Sequence, residues 1–293
     1  MNDATTGQTL PRSISPNCAA NLRDGLIYSA RIGKIPELFA SFTAPELEAI
    51  LSFFEFRARK SQTPPPAMLD GAPWRAWLFV GGRGAGKTRA GAEWVRGMAG
   101  GFVDFADKPV ARIALIGETW ADAREVMVEG VSGVLAAHGK WERPHWEATR
   151  RRLVWSNGAI AQVFSAEDPE SLRGPQFDAA WCDEIAKWRH AQEVWDMLQF
   201  GLRLGEWPRV MVTTTPRPLA LLKKLMADPA HVVTRATTRA NAANLPPDFL
   251  RAIEEKYGGT RLGRQEIEGA IVEERADALW SRALIETCRV GDA

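Results

Sequence analysis

Residues 81–88 have the types and the order of a loop that binds phosphate. They are Gly81, Gly82, Arg83, Gly84, Ala85, Gly86, Lys87 and Thr88. Glycines let a backbone curl until successive N–H groups point at an anion. In such a loop Lys87 would reach the β- and γ-phosphates of a nucleotide, and the Thr88 hydroxyl would hold Mg²⁺. A Gly-rich turn that matches this pattern by accident is the alternative interpretation.

The residues on either side of the loop support nucleotide binding. An apolar run at 76–80 is typical of a buried strand, and the residues after Thr88 have a helical pattern. The N-terminal dipole of that helix would face the bound phosphates. We therefore expect a nucleotide-binding site at residues 81–88.

A pair of carboxylates supplies the second part of a hydrolytic site. Asp183 and Glu184 follow a largely apolar run, which would deliver them to the carboxyl end of a strand, where ligands of such sheets bind. Asp183 would contact Mg²⁺ through water, and Glu184 would polarise the attacking water. An acidic pair that caps the next helix is the alternative.

Two more groups of residues are candidates for this site. Thr213, Thr214 and Thr215 end a strand-like run, and their hydroxyls could sense the γ-phosphate or its loss, although threonines are also simply common in strands. Arg173, on a loop shortly before the acidic pair, could stabilise transition-state charge in this subunit or in a neighbour. A surface salt bridge fits Arg173 equally well, and Arg83 in the loop is a second candidate.

Strand-like and helix-like runs alternate from residue 74 onward, which predicts an α/β fold with a mostly parallel sheet and helices on both faces. Strands are expected at 110–117, 179–182, 209–213 and 231–234, and a hairpin at 152–164 with Asn157 and Gly158 as its turn. Helices are expected at 121–135, 247–257 and 263–274. Thr43 and Glu46 form a capping box for an N-terminal helix, and the first twenty residues are expected to be loosely ordered.

Composition restricts the class of protein. The 293 residues are 45% hydrophobic and 25% charged, with a net charge of +1, so any contact with nucleic acid must come from a local patch. Residues 140–155 mix cations with aromatic side chains, which suits such a contact, but a hairpin edge protected by charge is the interpretation that we favour. Three isolated cysteines and the lack of an apolar stretch of about 20 residues favour a cytosolic protein without a membrane span.

Several runs of this chain, in order, resemble the large terminase subunit of tailed phages, in the form found in prophages and gene-transfer agents. These runs are 81–96, 165–174, 181–184, 213–218 and 259–266. The family is a DNA-packaging motor, in which an ATPase ring on a capsid portal translocates double-stranded DNA. The resemblance implies a P-loop NTPase of the additional-strand, catalytic-glutamate type. It also implies ATP and Mg²⁺ as cofactors, a portal protein and a small terminase subunit as partners, and the cytoplasm of a bacterial host.

The resemblance also implies roles for single residues. Lys87 and Thr88 would bind phosphate and Mg²⁺, Asp183 would hold the metal, and Glu184 would be the catalytic carboxylate. Arg173 resembles a finger that acts on the ATP of the neighbouring subunit. Residues 213–215 resemble the element that couples hydrolysis to DNA movement, and Gln62 resembles an adenine-reading glutamine, for which a linker residue is an equal alternative.

The expected organisation is an N-terminal segment with one or two helices at 1–66, an ATPase core at 67–235 and a helical subdomain or linker at 236–293. The family's nuclease domain would begin after about residue 280, so we expect it to be absent and no cutting of DNA by this chain. A helicase-like or other P-loop ATPase without a packaging function is the alternative, but it would need a second core domain. A regulatory module that only holds nucleotide is disfavoured by the intact Lys87, Asp183 and Glu184.

Overall fold

The computed structural model describes residues 25–26, 28–44, 47, 54–65, 72–102, 105–272 and 287–288. Its centre is an eight-stranded sheet. The strands are β1 (Ala76–Gly81), β2 (Arg112–Gly117), β3 (His145–Glu147), β4 (Arg152–Val154), β5 (Ile160–Ser165), β6 (Ala179–Asp183), β7 (Arg209–Thr214) and β8 (His231–Ala236). The helices are α1 (Ile35–Ala40), α2 (Phe54–Arg57), α3 (Lys87–Gly100), α4 (Trp120–Asp122), α5 (Val134–Ala137), α6 (Ala191–Gly201), α7 (Ala220–Ala227), α8 (Pro247–Tyr257) and α9 (Arg261–Glu266).

The strand order across the sheet is β3-β4-β5-β2-β6-β7-β1-β8. All pairs from β5 to β8 are parallel, whereas β4 is antiparallel to β5 and β3 is antiparallel to β4. Strand β7 lies between β1, which leads into the phosphate loop, and β6, which carries the acidic pair. This is the additional strand of the predicted fold class, which is confirmed.

Alternate residues of the central strands belong to two separate hydrophobic cores. Trp77 and Phe79 of β1 pack with α3 on one face, and Leu78 and Val80 pack with α6 and α7 on the other. Because both faces are covered, successive residues of β1, β6 and β7 are all buried instead of alternating between buried and exposed. The helices on both faces, expected from the alternation along the chain, are confirmed.

The helix expected at 121–135 is wrong as one continuous element. Helix α4 is only three residues long and continues as a π-helix, Ala123–Val128, in which the Glu129 N–H donates to the Arg124 carbonyl at 2.8 Å. The chain then leaves the helical conformation, and Gly133 has an extended backbone before α5 begins. Gly130 and Gly133 have low helix propensity, which explains the interruption.

The helix expected at 263–274 is also wrong in its bounds. Helix α9 begins at Arg261, where the Thr260 hydroxyl accepts from the Gly263 N–H at 3.0 Å, and it ends at Glu266. Residues 267–272 are not helical. Carbonyls at this helix end are bonded by the phosphate loop and its neighbours, as described below, so tertiary contacts override the local helical pattern.

The other expected elements agree with the structure to within a few residues. The hairpin at 152–164 is present as β4 and β5, with its turn at Asn157-Gly158. Strand β2 begins at Arg112, and β3 is an element that the sequence pattern did not predict. The N-terminal helix expected from Thr43, as well as the first twenty residues, lie mostly or wholly outside the described residues. Within the ranges described, no helix has the length and apolar character needed to cross a membrane.

Candidate active site

A cleft of about 950 Å³ opens at the carboxyl edge of the parallel strands. The loop between β1 and α3 forms one wall, and the ends of β6 and β7 form the floor. The predicted site residues that line this cleft are Gln62, Arg83, Gly84, Ala85, Gly86, Lys87, Thr88, Asp183, Glu184 and Thr215. The fold therefore brings together the loop and the acidic pair, which are far apart on the chain.

The loop conformation depends on its glycines. Gly86 has φ +80°, a left-handed conformation that residues with a side chain rarely adopt. A Cβ atom there would lie 2.6 Å from the Gln62 Nε2 atom. Among the described residues, the backbone N–H groups of Gly84 and Gly86 have no protein acceptor. These donors stand beside the N-terminus of α3, a geometry suited to an anion.

Lys87 is buried at the centre of the cleft, with 6% of its surface exposed. Its ammonium donates to the Gly81 and Gly82 carbonyls at 3.1 and 2.9 Å and to the Thr215 hydroxyl at 3.1 Å. It also lies 3.7 Å from the Glu184 Oε1 atom. Burial lowers the pKa of Lys87, against the opposing attraction of Glu184 and Asp183. Such a group is a desolvated cation poised for an anionic ligand.

Asp183, the last residue of β6, is also buried. Its Oδ1 atom accepts from the Thr213 hydroxyl at 2.5 Å. Burial, and then the negative charge of Glu184, raise the pKa of Asp183 to about 7. A cation nearby would favour the charged form of this carboxylate.

The donor set fits Mg²⁺. A carboxylate on Asp183 and a hydroxyl on Thr88, both at the cleft, are the hard oxygen ligands that this ion prefers. No group of three or more His, Cys, Asp or Glu side chains that could hold a metal alone occurs among the described residues. Mg²⁺ usually takes only one or two protein carboxylates and completes its shell with substrate phosphates and water.

Glu184 has an unusual backbone. Its φ of 53° and ψ of 42° are left-handed, which costs an ordinary residue about 1–2 kcal/mol. The Glu184 N–H donates to the Thr213 carbonyl at 2.6 Å. Its two carboxylate oxygens accept from Thr215, from the backbone N–H at 3.0 Å and from the hydroxyl at 3.2 Å. The strained conformation thus turns this carboxylate into the cleft and over the end of β7.

The three threonines of β7 and its end have different partners. The Thr213 hydroxyl bonds Asp183 and accepts from the Trp181 indole N–H at 2.7 Å. The Thr214 hydroxyl accepts from the Ala186 N–H at 3.2 Å, at a 3₁₀ helix, Ile185–Lys187. Only Thr215 contacts both Lys87 and Glu184. The interpretation of these residues as a sensor remains a prediction, and the geometry singles out Thr215 within it.

Arg173 lies away from this cleft. Its side chain is 66% exposed and forms an ion pair with Glu170 at 3.0 Å. It lines a separate groove of about 310 Å³, whose apolar wall includes Met197 and Phe200. Arg83, in contrast, is at the cleft, where its Nε atom lies 3.0 Å from the Glu266 carboxylate. The role of each arginine stays a prediction.

Gln62 lies beside the loop and not at a free position of a linker. Its Nε2 atom donates to the Gly86 carbonyl at 3.1 Å, and its Oε1 atom accepts from the Arg59 N–H at 3.3 Å. Arg59, Asn241 and Thr238 also bond the loop but were not identified from the sequence. No local pattern marks them, because their partners are more than 20 residues away on the chain.

The basic and aromatic run at 140–155 forms the β3–β4 edge of the sheet. Arg150 and Arg152 both face the Glu147 carboxylate, at 3.7 and 2.7 Å. The Trp155 indole N–H donates to the buried His138 ring at 2.9 Å. These contacts agree with the interpretation of this run as a charged hairpin edge.

A family described as terminase large subunit, T4likevirus-type, N-terminal, matches residues 78–287. No protein of curated function matches the chain. The ATPase domain of the Thermus phage P74-26 large terminase is 16% identical, with a TM-score of 0.51, over 68% of this chain and 89% of that one.

The large terminase of a thermophilic bacteriophage has also been solved in complex with ADP and with ATP-γ-S. It is 15% identical in the ADP complex and 14% in the ATP-γ-S complex, with TM-scores of 0.54 and 0.53. The match covers 69% and 68% of this chain but 50% and 47% of those chains, so this protein spans about half the length of that terminase. These likenesses show the same fold, and the family match over most of the chain shows that the protein belongs to the terminase large subunit family of the T4likevirus type.

Proposed function

We propose that this chain is the ATPase motor part of a phage-type terminase, which hydrolyses ATP to translocate double-stranded DNA into a capsid. The observation that carries the proposal is the meeting of Lys87, Asp183, Glu184 and Thr215 in one cleft, beside a glycine loop at the N-terminus of α3. That set contains a phosphate cradle, a metal carboxylate and a base. Nucleotides in the solved terminase of the thermophilic bacteriophage support ATP as the ligand.

The chain's own residues account for the chemistry of hydrolysis. Lys87 would exchange its carbonyl and hydroxyl partners for phosphate oxygens, since its ammonium is already desolvated. Glu184 would orient a water molecule and accept a proton from it as the water oxygen attacks the γ-phosphorus, while the bond to the bridging oxygen breaks and ADP leaves. Thr215 would hold Glu184 in place until that water is bound. Thr88 and Asp183 would hold Mg²⁺, which would neutralise negative charge on the phosphates.

The partners follow from the family and remain part of the proposal. The chain would act in the cytoplasm of a bacterial host, as a homo-oligomeric ring with a portal protein and a small terminase subunit. In that ring Arg173 would act on the ATP of a neighbour, because it is exposed and does not line its own cleft. The isolated chain would therefore hydrolyse ATP only slowly.

Substitution of Glu184 by Gln tests the catalytic assignment. The amide keeps the size of the side chain and leaves the phosphate loop intact, so ATP binding should be retained. Turnover should fall by roughly 100- to 10,000-fold, the usual value of a positioned general base. The measurement is phosphate release with Mg²⁺, beside titration of nucleotide binding. Turnover equal to that of the wild type would exclude Glu184 as the catalytic carboxylate.

The motor function needs a second measurement. ATPase rate should rise when double-stranded DNA and a portal complex are added to wild-type protein. The Glu184→Gln variant is the control, since it should show no such rise. A rate that is high but indifferent to DNA and portal would favour a phosphate-loop ATPase without packaging function.

A further inference from the structure

Every carbonyl group of the phosphate loop, residues 81–86, is bonded by a side chain. Lys87, which follows the loop, bonds the first two. The other four bonds come from segments outside the loop and α3: Thr238 to Arg83 at 2.6 Å, Asn241 to Gly84 at 2.6 Å, Arg59 to Ala85 at 2.6 Å and Gln62 to Gly86 at 3.1 Å. Two segments, 59–62 before β1 and 238–241 after β8, therefore hold the loop, and Arg59, Gln62 and Asn241 of these segments also line the cleft.

Arg59 and Asn241 also bond each other, which joins these two segments next to the loop. The Arg59 guanidinium donates to the Asn241 Oδ1 atom, and the Asn241 Nδ2 atom donates to Gly84. The Asn241 side chain must therefore donate one hydrogen bond and accept another, which an amide can do. Asn241 is buried, with 9% of its surface exposed.

The charge of Arg59 makes this arrangement sensitive to the loss of a bond. Among the described residues no carboxylate pairs with Arg59, and its buried Nε atom has no partner. Burial lowers the pKa of Arg59. Within the described part of the chain, the guanidinium donates its hydrogen bonds to neutral oxygens, those of Ala85 and Asn241. Removal of the Asn241 side chain would leave this cation with less compensation for its desolvation.

We propose that Asn241 is a positioning residue for the phosphate loop and sets nucleotide affinity together with Arg59. This inference rests on the proposed nucleotide binding. By bonding the carbonyls of Ala85 and Gly84, the pair fixes the orientation of these peptide groups, so the loop's N–H groups are already ordered when a nucleotide binds. Asp183 and Glu184 do not contact Asn241 in the hydrogen bonds described, so the step of hydrolysis itself should not depend on it.

The test compares Asn241→Ala with Arg239→Ala. Arg239 begins the 3₁₀ helix that contains Asn241, Arg239–Asn244. Its replacement by Ala removes a hydrogen bond of the same length, 2.6 Å to Glu254, but Arg239 does not contact the loop. For Asn241→Ala we expect Kd for ADP and KM for ATP to rise about tenfold or more, the value of one buried hydrogen bond. We expect kcat to stay within about twofold, and Arg239→Ala to change neither quantity.

If Asn241 only stabilised the fold, Asn241→Ala would lower thermal stability but would not raise KM while leaving kcat unchanged. If Asn241→Ala does not fold, Asn241→Asp replaces it, since the carboxylate keeps the volume and the acceptor for Arg59 but cannot donate to Gly84. That variant should also bind ADP more weakly. Wild-type affinity in a folded Asn241 variant, or a fall in kcat without a change in Kd, would overturn the inference. Failure of the wild-type protein to bind ADP would instead contradict the proposed function.

Discussion

The acidic pair and Arg173 are held in opposite ways. Asp183 is buried, bonded to the Thr213 hydroxyl, and Thr213 itself has no exposed surface. Arg173 is 66% exposed, and its partner Glu170 is 68% exposed. Buried, bonded groups are fixed before substrate arrives, whereas an exposed arginine on a loop has no such constraint.

Under the proposed function, this difference would separate groups that complete the site of their own chain from an arginine that acts on a neighbour. A carboxylate that orients water must already be in place before the reaction. If it were disordered, ordering its side chain would cost conformational entropy and raise the activation barrier. An arginine that inserts into a neighbouring cleft must instead be accessible from outside its own chain. The exposed position of Arg173, beside a groove with Phe200 at its wall, fits the second requirement.

The largest effect should come from Arg173→Ala in assembled protein. Arginine fingers contribute about a thousandfold or more to the rate of phosphoryl transfer. The variant should bind ATP normally but lose the stimulated rate of the assembly. The slow rate of isolated chains should be unchanged, because Arg173 does not line its own cleft.

A mixture of Arg173→Ala and Glu184→Gln chains decides between action in the same chain and in the neighbour. Each variant by itself should lack the stimulated rate of the assembly, but a mixed ring would place an intact Arg173 against an intact Glu184 at some interfaces. Partial recovery of ATPase activity is the expected result. A mixture that stays inactive, under conditions where wild-type chains assemble, would contradict action on a neighbour and favour Arg83.

A smaller effect on kcat should distinguish Thr215 from Thr214. Thr215→Val removes the hydroxyl that bonds Lys87 and Glu184 but keeps the backbone N–H bond to Glu184. Because hydrogen bonds to charged groups are worth about 1.5–3 kcal/mol, kcat should fall at least about tenfold. Thr214→Val, which loses only bonds to backbone groups, should keep kcat within about threefold. Equal losses of kcat in the two variants would contradict a special role for Thr215.

The motifs could be identified from the sequence because each is local. A phosphate loop needs its glycines, lysine and hydroxyl within eight residues, and the acidic pair needs only a strand before it. The strand order could not be obtained in the same way, but the expected parallel sheet already places strand ends at one edge. For this reason the sequence was sufficient to predict that Lys87, Asp183 and Glu184 lie near one another.

The residues that support the loop could not be predicted, because their partners are distant on the chain. Asn241 and Gly84 are 157 residues apart, and Arg59 and Asn241 are 182 apart. Helix α9 was predicted too long for a related reason. The Glu266 and Ile267 carbonyls at its end accept from the Arg83 and Thr238 N–H groups at 2.6 and 2.8 Å, contacts that a local pattern does not contain.

The smallest effects concern stability, and they test the same comparison without nucleotide. Thr213→Val keeps the shape of the side chain but leaves the Trp181 indole N–H and the Asp183 carboxylate without the hydroxyl that joins them. Buried polar groups left unsatisfied cost about 1–3 kcal/mol each, so the free energy of unfolding should fall by about 2 kcal/mol or more.

Arg173→Ala and Glu170→Ala remove an exposed ion pair at 3.0 Å, for which a loss below about 1 kcal/mol is expected. Urea unfolding of the three variants at one pH and salt concentration measures all of these values. If Arg173→Ala destabilises the chain as much as Thr213→Val does, Arg173 has a structural role in its own chain, and its exposure no longer favours action on a neighbour.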